Sequence, residues 1–308
     1  MRVTVLAGGV GAARFMRGLV RVMEPAEITV VCNVGDDFAW LGLHVSPDID
    51  TVVYTLAGME GESGWGVRGD THGALDELAA LGAEPWFQVG DRDLATHVWR
   101  TERLHAGQRL SEVTRTLAAA RGIACAILPV TDDPHPTVVL TAEGELAFQD
   151  YFVLRRASDA VRGFRFPGAA TARPAPGVLR AIEEAEVIIV APSNPFVSVG
   201  PLLEVTAVKE ALAASDAHKV AISPIVGGSA VKGPAAAMLR SLGHEVSALG
   251  VARLYGGLID TFVLDSIDGA LAPQIEALGL RACVTDTMMT SEQRQVALAR
   301  AVLASVAR

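Results

Sequence analysis

The chain has 308 residues, of which 26 are basic, 35 are acidic and half are hydrophobic, so its formal net charge is −9 at pH 7. This composition supports a large core, and the acidic balance argues against binding of nucleic acid through a basic face. Three single cysteines without a CxxC spacing argue against a disulfide framework or a zinc site.

Short β-rich runs alternate with amphipathic helical patterns, which is typical of an α/β fold with a mostly parallel sheet and helices on both faces. Val3–Ala7 predicts the first strand, Ala12–Met23 the first helix and Ile28–Cys32 the second strand. Later strands are predicted at Ala124–Pro129, Val187–Ala191, Lys219–Ile222, Thr261–Leu264 and Ala282–Thr285, and a last helix at Ser291–Val306.

The alternation stops between Asp48 and Arg121. Helical patterns follow one another there, at Ile49–Leu56, Gly73–Leu81, Asp91–His105 and Leu110–Ala120. We therefore expect a body formed by residues 1–60 and 122–308, and a small helical insertion or lid formed by residues 61–121. Further on, Thr137–Leu140 and Leu146–Asp150 predict a β-hairpin, and Pro167–Gly177 a surface linker.

No apolar run is long enough to span a bilayer, and the chain starts directly with a strand-like segment. A signal peptide would instead place a charged and then an apolar region there. We therefore expect a cytoplasmic protein without membrane contact.

The first strand leads into a glycine turn that opens the first helix. Backbone N–H groups in such a turn, together with the helix N-terminus, favour a phosphate group, so Gly9 and Gly11 are candidate nucleotide contacts. Arg14 stands where the third glycine of a dinucleotide-binding fingerprint belongs, and no Gly-Lys-Ser/Thr follows. A purely structural tight turn is the alternative.

Four aspartates, Asp36, Asp37, Asp48 and Asp50, follow the second strand within fifteen residues. Carboxylates crowded at the carboxyl end of a sheet strand predict that at least two of them bind Mg²⁺ or Mn²⁺ together with substrate phosphate, or contact a substrate hydroxyl. The local alternative is that Asp48 caps the helix beginning at Ile49 and that Asp36 occupies a turn.

Two later loops follow strands and carry small polar side chains or lysine. The candidate contacts in them are Ser193, Asn194, Ser198, Gly228 and Lys232. Because parallel strands end at one edge of the sheet, these loops can together hold a nucleotide and its diphosphate. The alternative is that their prolines mark ordinary strand-to-helix turns.

Ten motifs occur in a characteristic order: LAGGVGAARF, NVGDD, SPDIDT, THGALDELA, FQVGDRDLATH, PVTDDPHPT, FQDYFV, PSNPFVSVGP, SPIVGGSAVKGPA and GLIDTFVLD. Together they resemble the 2-phospho-L-lactate transferase family, which makes the deazaflavin coenzyme F-420, over essentially the whole chain. The resemblance implies a Rossmann-like α/β body with a helical insertion, in an enzyme that is usually dimeric. It also implies transfer from a lactyl or enolpyruvyl diphospho-guanosine to the deazaflavin Fo, with Mg²⁺ and release of GMP.

The resemblance implies roles for particular residues as well. The deazaflavin would lie against Asp50 and Arg92, while from the residues alone Arg92 can equally point to solvent. Asp50 or its neighbour Asp48 would orient the ribityl hydroxyl and accept its proton. The glycine turn, Asn33 and the two later loops would hold the guanosine diphosphate, and the four aspartates would supply the Mg²⁺ ligands.

Two other classes of function compete with this hypothesis. One is a non-enzymatic regulator of the gluconeogenesis-factor type, which binds a nucleotide sugar on the same fold; the segments NVGDDFAW and GDRDLATH favour the transferase. The other is a nicotinamide-dependent oxidoreductase, which would need an acidic residue at the end of the second strand, where Asn33 stands. The sequence leaves open whether the donor carries lactate, enolpyruvate or glycerate.

Overall fold

A seven-stranded parallel sheet forms the centre of the fold in the computed structural model, which describes residues 1–306. The strands of the chain are β1 (Val3–Ala7), β2 (Ile28–Cys32), β3 (Phe38–Trp40), β4 (Leu43–Val45), β5 (Ala126–Pro129), β6 (Val138–Thr141), β7 (Gly144–Ala147), β8 (Val161–Arg165), β9 (Val187–Val190), β10 (His218–Ile222), β11 (Ile225–Val226), β12 (Ser229–Ala230), β13 (Thr261–Asp265) and β14 (Arg281–Thr285). The α-helices are α1 (Gly9–Leu19), α2 (Pro47–Leu56), α3 (Gly73–Ala80), α4 (Asp91–His105), α5 (Leu110–Ala120), α6 (Val178–Glu183), α7 (Gly200–Glu204), α8 (Thr206–Ala214), α9 (Ala235–Ser241), α10 (Ala248–Leu254), α11 (Ala272–Glu276) and α12 (Glu292–Val306).

The order of strands across the sheet is β14-β13-β10-β9-β1-β2-β5. The chain therefore moves from β1 toward one edge and later from β9 toward the other. Because parallel crossovers are right-handed, this reversal places α1 and α8 on opposite faces of the sheet. The reversal between β1 and β9 is the point at which such sheets form a ligand-binding crevice.

Burial on both faces explains why the central strands are continuous apolar runs. β1 and β9 are buried at every position, and α1 packs against both α2 and α12. The predicted α/β fold with a parallel sheet and helices on both faces is confirmed.

Two aspartates fix the starts of the insertion helices α3 and α4. The Asp91 carboxylate accepts hydrogen bonds from the Gly73 and Ala74 N–H groups, at 3.0 and 2.9 Å. The Asp70 carboxylate does the same for the N–H groups of Arg92 and Asp93. Negative charge at a helix N-terminus is stabilising, so α3 is capped by the first residue of α4, and α4 is capped by a residue that lies shortly before α3.

The structure differs from the predictions at several element boundaries. The first helix already begins within the glycine turn and ends at Leu19, whereas Met23 was the expected end. The expected hairpin is part of a three-stranded antiparallel sheet, β7-β6-β8, and residues 150–154 form a π-helical turn instead of extending a strand. A second hairpin, β3–β4, is not predicted by the sequence patterns.

The segment Pro167–Gly177 is not only a surface linker. The small side chains of Ala169, Ala172 and Ala175 are buried, and Pro174 bridges to Thr131. α5, which lies inside the predicted insertion, packs on β5 and so completes the crossover from β2. None of the helices within residues 1–306 is long and apolar enough to cross a membrane.

Candidate functional site

A cavity of about 850 Å³ opens at the carboxyl ends of β1 and β9, where the strand order reverses. Gly8, Asp48 and Ser193 line it from the body of the fold, while Trp65 and His97 line it from the predicted insertion. Its size is that of a pocket for substrates of cofactor dimensions. The site is therefore built between the sheet edge and the helical segment.

Asn33 joins two of the four predicted aspartates at the floor of this cavity. Its side-chain amide donates to Asp36 Oδ1 at 3.0 Å and to Asp48 Oδ2 at 2.9 Å, and it also contacts the Val197 carbonyl oxygen at 3.2 Å. The Asn33 Oδ1 atom accepts the Gly35 N–H at 2.8 Å, which fixes the orientation of the amide. Asn33 is fully buried and does not line the cavity, so it acts on the carboxylates rather than on the space above them.

Asp36 and Asp48 are both buried and both line the cavity. Burial raises the pKa of Asp48 to about 6, and hydrogen bonds from Asn33 and Gly9 only partly offset this effect. Burial, followed by the negative charge of Asp48, holds the pKa of Asp36 well above its ordinary range. Two adjacent carboxylates that are costly to ionise, and that offer only oxygen atoms, fit a hard divalent cation such as Mg²⁺.

The other two predicted aspartates have separate partners. Asp37 Oδ2 lies 3.0 Å from His44 Nε2 and accepts a hydrogen bond from the Ser46 hydroxyl at 2.7 Å. Asp50 forms an ion pair and hydrogen bond with Arg100, a residue that is only 1% exposed. Three of the four aspartates, Asp36, Asp48 and Asp50, therefore line the cavity, and Asp37 does not. Asp36 and Asp48 share the Asn33 amide, whereas Asp50 pairs with Arg100.

Asp50 belongs to a buried polar cluster between α2 and α4. Ligand atoms of Asp50, Asp93 and His97 lie within 4.8 Å of one another, and Tyr54 donates to Asp93 Oδ1 at 2.8 Å. The pKa of Asp93 is raised to about 7, first by burial and then by the charge of Asp50, while burial lowers that of His97 to about 4. Asp50 Oδ2 is buried without a hydrogen-bond partner among the described residues and lies 3.7 Å from His97 Nδ1.

The glycine turn donates a hydrogen bond to one of the carboxylates and allows α1 to pack closely against the loop after β9. The Gly9 N–H donates to Asp48 Oδ1 at 2.7 Å, so the Asp48 side chain lies at the N-terminus of α1, where phosphate was expected. Gly11 lines the cavity, and a Cβ atom there would overlap the Pro192 carbonyl oxygen. Glycine is therefore required at this position for α1 to approach the loop after β9.

The loop after β9 lies against the glycine turn. The Ser193 hydroxyl donates to the Gly8 carbonyl oxygen at 2.6 Å, and the Asn194 side chain accepts the Phe196 N–H at 2.9 Å. Ser193, Asn194 and Ser198 all line the cavity, and their contact with a nucleotide stays a prediction. From the other predicted loop, Lys232 lines the cavity, whereas Gly228 does not.

Arg92 is exposed at the start of α4 and does not line the cavity. Its Nη1 atom donates to the Arg68 carbonyl oxygen at 3.4 Å. The residues on the inner side of the same helix, Asp93 and His97, are the ones that reach the cavity.

Aromatic side chains form part of the cavity wall, and sequence reasoning missed them. Trp65 and Phe87 come from residues 61–121, and Phe148 stacks on Phe152 with ring centroids 5.5 Å apart. Apolar walls with a few polar groups are typical of sites for planar cofactors. Arg100 was missed too, although the spacing of Asp93, His97 and Arg100 places them on one face of α4.

Comparisons with known proteins agree with this architecture. The sequence model of the family 2-phospho-L-lactate transferase CofD matches residues 3–302. The chain is 45% identical over 98% of its length to a phosphoenolpyruvate transferase of Streptomyces griseus subsp. griseus, 98% of which is covered. It is 38% identical over 97% of its length to a 2-phospho-L-lactate transferase of Methanosarcina mazei, 98% of which is covered. A solved structure of a UPF0052 family member from Bacillus halodurans matches 98% of each chain with a TM-score of 0.63 at 18% identity, which supports the fold alone.

Proposed function

The chain belongs to the CofD family of 2-phospho-L-lactate transferases, and from this premise we propose the reaction that it catalyses. A phosphoenolpyruvyl or phospholactyl group passes from an enolpyruvyl or lactyl diphospho-guanosine to the terminal ribityl hydroxyl of Fo. The products are coenzyme F-420-0, or its dehydro form, and GMP.

The relatives favour the enolpyruvyl donor. The phosphoenolpyruvate transferases of Streptomyces griseus subsp. griseus and Streptomyces coelicolor reach 45% and 44% identity, compared with 38% and 37% for the 2-phospho-L-lactate transferases of Methanosarcina mazei and Methanothermobacter thermautotrophicus. We therefore expect the enolpyruvyl donor to react faster than the lactyl donor.

One observation supports this assignment most strongly. The Asn33 amide holds the carboxylates of Asp36 and Asp48 side by side at the switch point of the sheet, where the strand order reverses between β1 and β9. Carboxylates held together in this way would bind Mg²⁺ together with diphosphate oxygens. The bound metal would supply charge neutralisation for the diphosphate. Ser193, Asn194 and Ser198 would bind the guanosine portion of the donor in the same crevice.

The acceptor hydroxyl would be positioned by Asp50. Arg100 fixes one oxygen of this carboxylate, and the other has no hydrogen-bond partner among the described residues. Because Asp50 lines the cavity, an incoming ribityl hydroxyl would donate to its carboxylate, and the proton would pass to the carboxylate as the hydroxyl oxygen attacks phosphorus. Positioning and charge stabilisation account for most of the rate enhancement in such transfers.

The aromatic wall formed by Trp65, Phe87, Phe148 and Phe152 would receive the planar deazaflavin ring. Contact between Arg92 and the deazaflavin remains part of the proposal. It requires the Arg92 side chain to turn away from the Arg68 carbonyl oxygen. We also propose that the enzyme acts in the cytoplasm as a homodimer on small molecules, and light scattering of the purified protein tests the dimer.

The transfer reaction is tested by incubating the protein with Fo, Mg²⁺ and each donor, followed by mass spectrometry of the product. We expect a phospho-acid adduct of Fo and an equal amount of GMP. Asp36→Asn should remove most of the activity, whereas Asp216→Asn, at an exposed position, should retain it. Binding of a nucleotide sugar without any transfer would contradict the proposal and favour the regulator.

A further inference from the structure

Two cations of the cavity wall, Arg14 and Lys232, form no salt bridge within residues 1–306. Arg14 lies in α1, one turn after Gly11, and its side chain is half-buried. Arg17, one turn further along the same helix, forms an ion pair with Glu60. The charge of Arg17 is thus neutralised within the protein, whereas those of Arg14 and Lys232 are not.

The two unpaired cations lie close to each other. Burial and then the positive charge of Arg14 lower the pKa of Lys232 to about 8. A Cβ atom built on Gly64 would lie 2.6 Å from a methyl group of Val10 and 3.5 Å from Lys232 Nζ, which places Lys232 beside the first turn of α1. Helical side chains lean toward the helix N-terminus, so Arg14 extends toward this turn as well.

Lys232 is held by neutral groups of the insertion. Its Nζ lies 3.4 Å from the centroid of a Trp65 ring and donates a hydrogen bond to the Ser63 carbonyl oxygen. An aromatic face and a carbonyl oxygen stabilise an ammonium group without neutralising it. The positive charge therefore remains available to an anion that enters the cavity.

We propose that Arg14 and Lys232 together form an oxyanion subsite for the donor, covered on its outer side by residues 61–66. The inference rests on the proposed function, because it assumes an anionic donor in this cavity. The recognised chemistry is a phosphate or carboxylate oxygen, and an anion placed between the two cations would relieve their mutual repulsion. Arg14, which breaks the dinucleotide fingerprint in the sequence, thereby acquires a binding role.

Binding measurements on matched variants test the subsite. Arg14→Gln and Lys232→Gln remove the two charges, while Arg21→Gln and Lys209→Gln remove exposed charges elsewhere. Each protein is titrated calorimetrically, with Mg²⁺ present, with GDP, with the isopropyl ester of GDP and with the enolpyruvyl donor. The ester carries the diphosphate but no carboxylate, so the series separates the two sources of oxyanion.

We expect Arg14→Gln and Lys232→Gln to weaken binding by about tenfold or more, as for loss of a hydrogen bond to a charged group, and the controls to bind like the wild type. An equal loss of affinity for all three ligands would show that the two cations bind a phosphate group. A loss of affinity confined to the enolpyruvyl donor would show that they bind its carboxylate. Unchanged affinity of both variants for all three ligands, with normal binding by the wild type, would overturn the inference alone. Failure of the wild type to bind any of them would instead overturn the proposed function.

A second measurement reports on Lys232 directly. The chain has three lysines, Lys209, Lys219 and Lys232, so labelling with an amine reagent can be resolved by mass spectrometry. GDP or the enolpyruvyl donor should protect Lys232 and leave Lys209 unprotected. Equal labelling of Lys232 with and without both ligands, under conditions in which calorimetry shows them bound, would contradict the subsite.

Discussion

Replacement of Asn33 by leucine removes the amide that holds the proposed metal ligands while nearly preserving side-chain volume. The substitution deletes hydrogen bonds of 3.0 and 2.9 Å to the carboxylates of Asp36 and Asp48, and the Gly35 N–H loses its acceptor. Hydrogen bonds to charged groups contribute roughly 1.5–3 kcal/mol each, so the free energy of unfolding should fall by about 3 kcal/mol or more. Loss of a residue that orients metal ligands typically weakens metal binding about 10- to 100-fold.

Two measurements separate the local effect of Asn33→Leu from general destabilisation. Urea unfolding gives the change in stability, and electron paramagnetic resonance of added Mn²⁺ gives the metal affinity of the folded protein. Thr4→Val is the matched control. Thr4 is buried near the amino end of β1, away from the cavity, and its hydroxyl donates to the Ala181 carbonyl oxygen at 2.7 Å. The control should lose stability but keep its Mn²⁺ affinity. Unaltered Mn²⁺ affinity in Asn33→Leu would refute the positioning role of Asn33.

Four further predictions concern other parts of the site. Asp50→Ala should abolish transfer while nearly preserving GDP binding, and normal turnover by this variant would show that the assignment of Asp50 is wrong. Arg100→Leu should lower the free energy of unfolding by about 3–5 kcal/mol because it leaves a buried carboxylate unpaired. Normal stability of Arg100→Leu would show that this ion pair does not stabilise the fold. Gly11→Ala should cost about 1–3 kcal/mol in urea unfolding because its methyl group overlaps the Pro192 carbonyl oxygen; an unchanged midpoint would contradict that packing. Since the pKa of Lys232 is lowered to about 8, its neutral fraction at pH 8 should be about 100-fold that of an ordinary lysine, and amine labelling should rise through this pH; a midpoint near 10 would contradict the shift.

The fold was predictable because its central strands are short, continuous apolar runs. Val187–Val190 is buried at all four positions, and this burial is what makes it recognisable in the sequence. The β3–β4 hairpin was missed for a physical reason. Its turn is formed by Leu41 and Gly42, both with positive φ, and a leucine in the left-handed region gives no turn signal.

The candidate site was predictable in its location more than in its contacts. Strand order brought the glycine turn and the loop after β9 together, as expected for a parallel sheet. Spacing alone could not show that Asp37 would pair with His44 or that Asp50 would pair with Arg100. Those partners come from segments up to 50 residues away, and Arg100 reaches Asp50 only because α4 packs against β4 and α5 in the folded chain.

The central claim is that Asp36 and Asp48 bind a divalent cation beside the N-terminus of α1 and thereby hold a guanosine diphosphate donor at the switch point of the sheet. A crystal structure of the protein with GDP and Mn²⁺, using the anomalous signal of manganese, tests this claim most directly. We predict a manganese peak in contact with both carboxylates and with diphosphate oxygens. A nucleotide bound elsewhere, with no peak beside Asp36 and Asp48, would contradict the account.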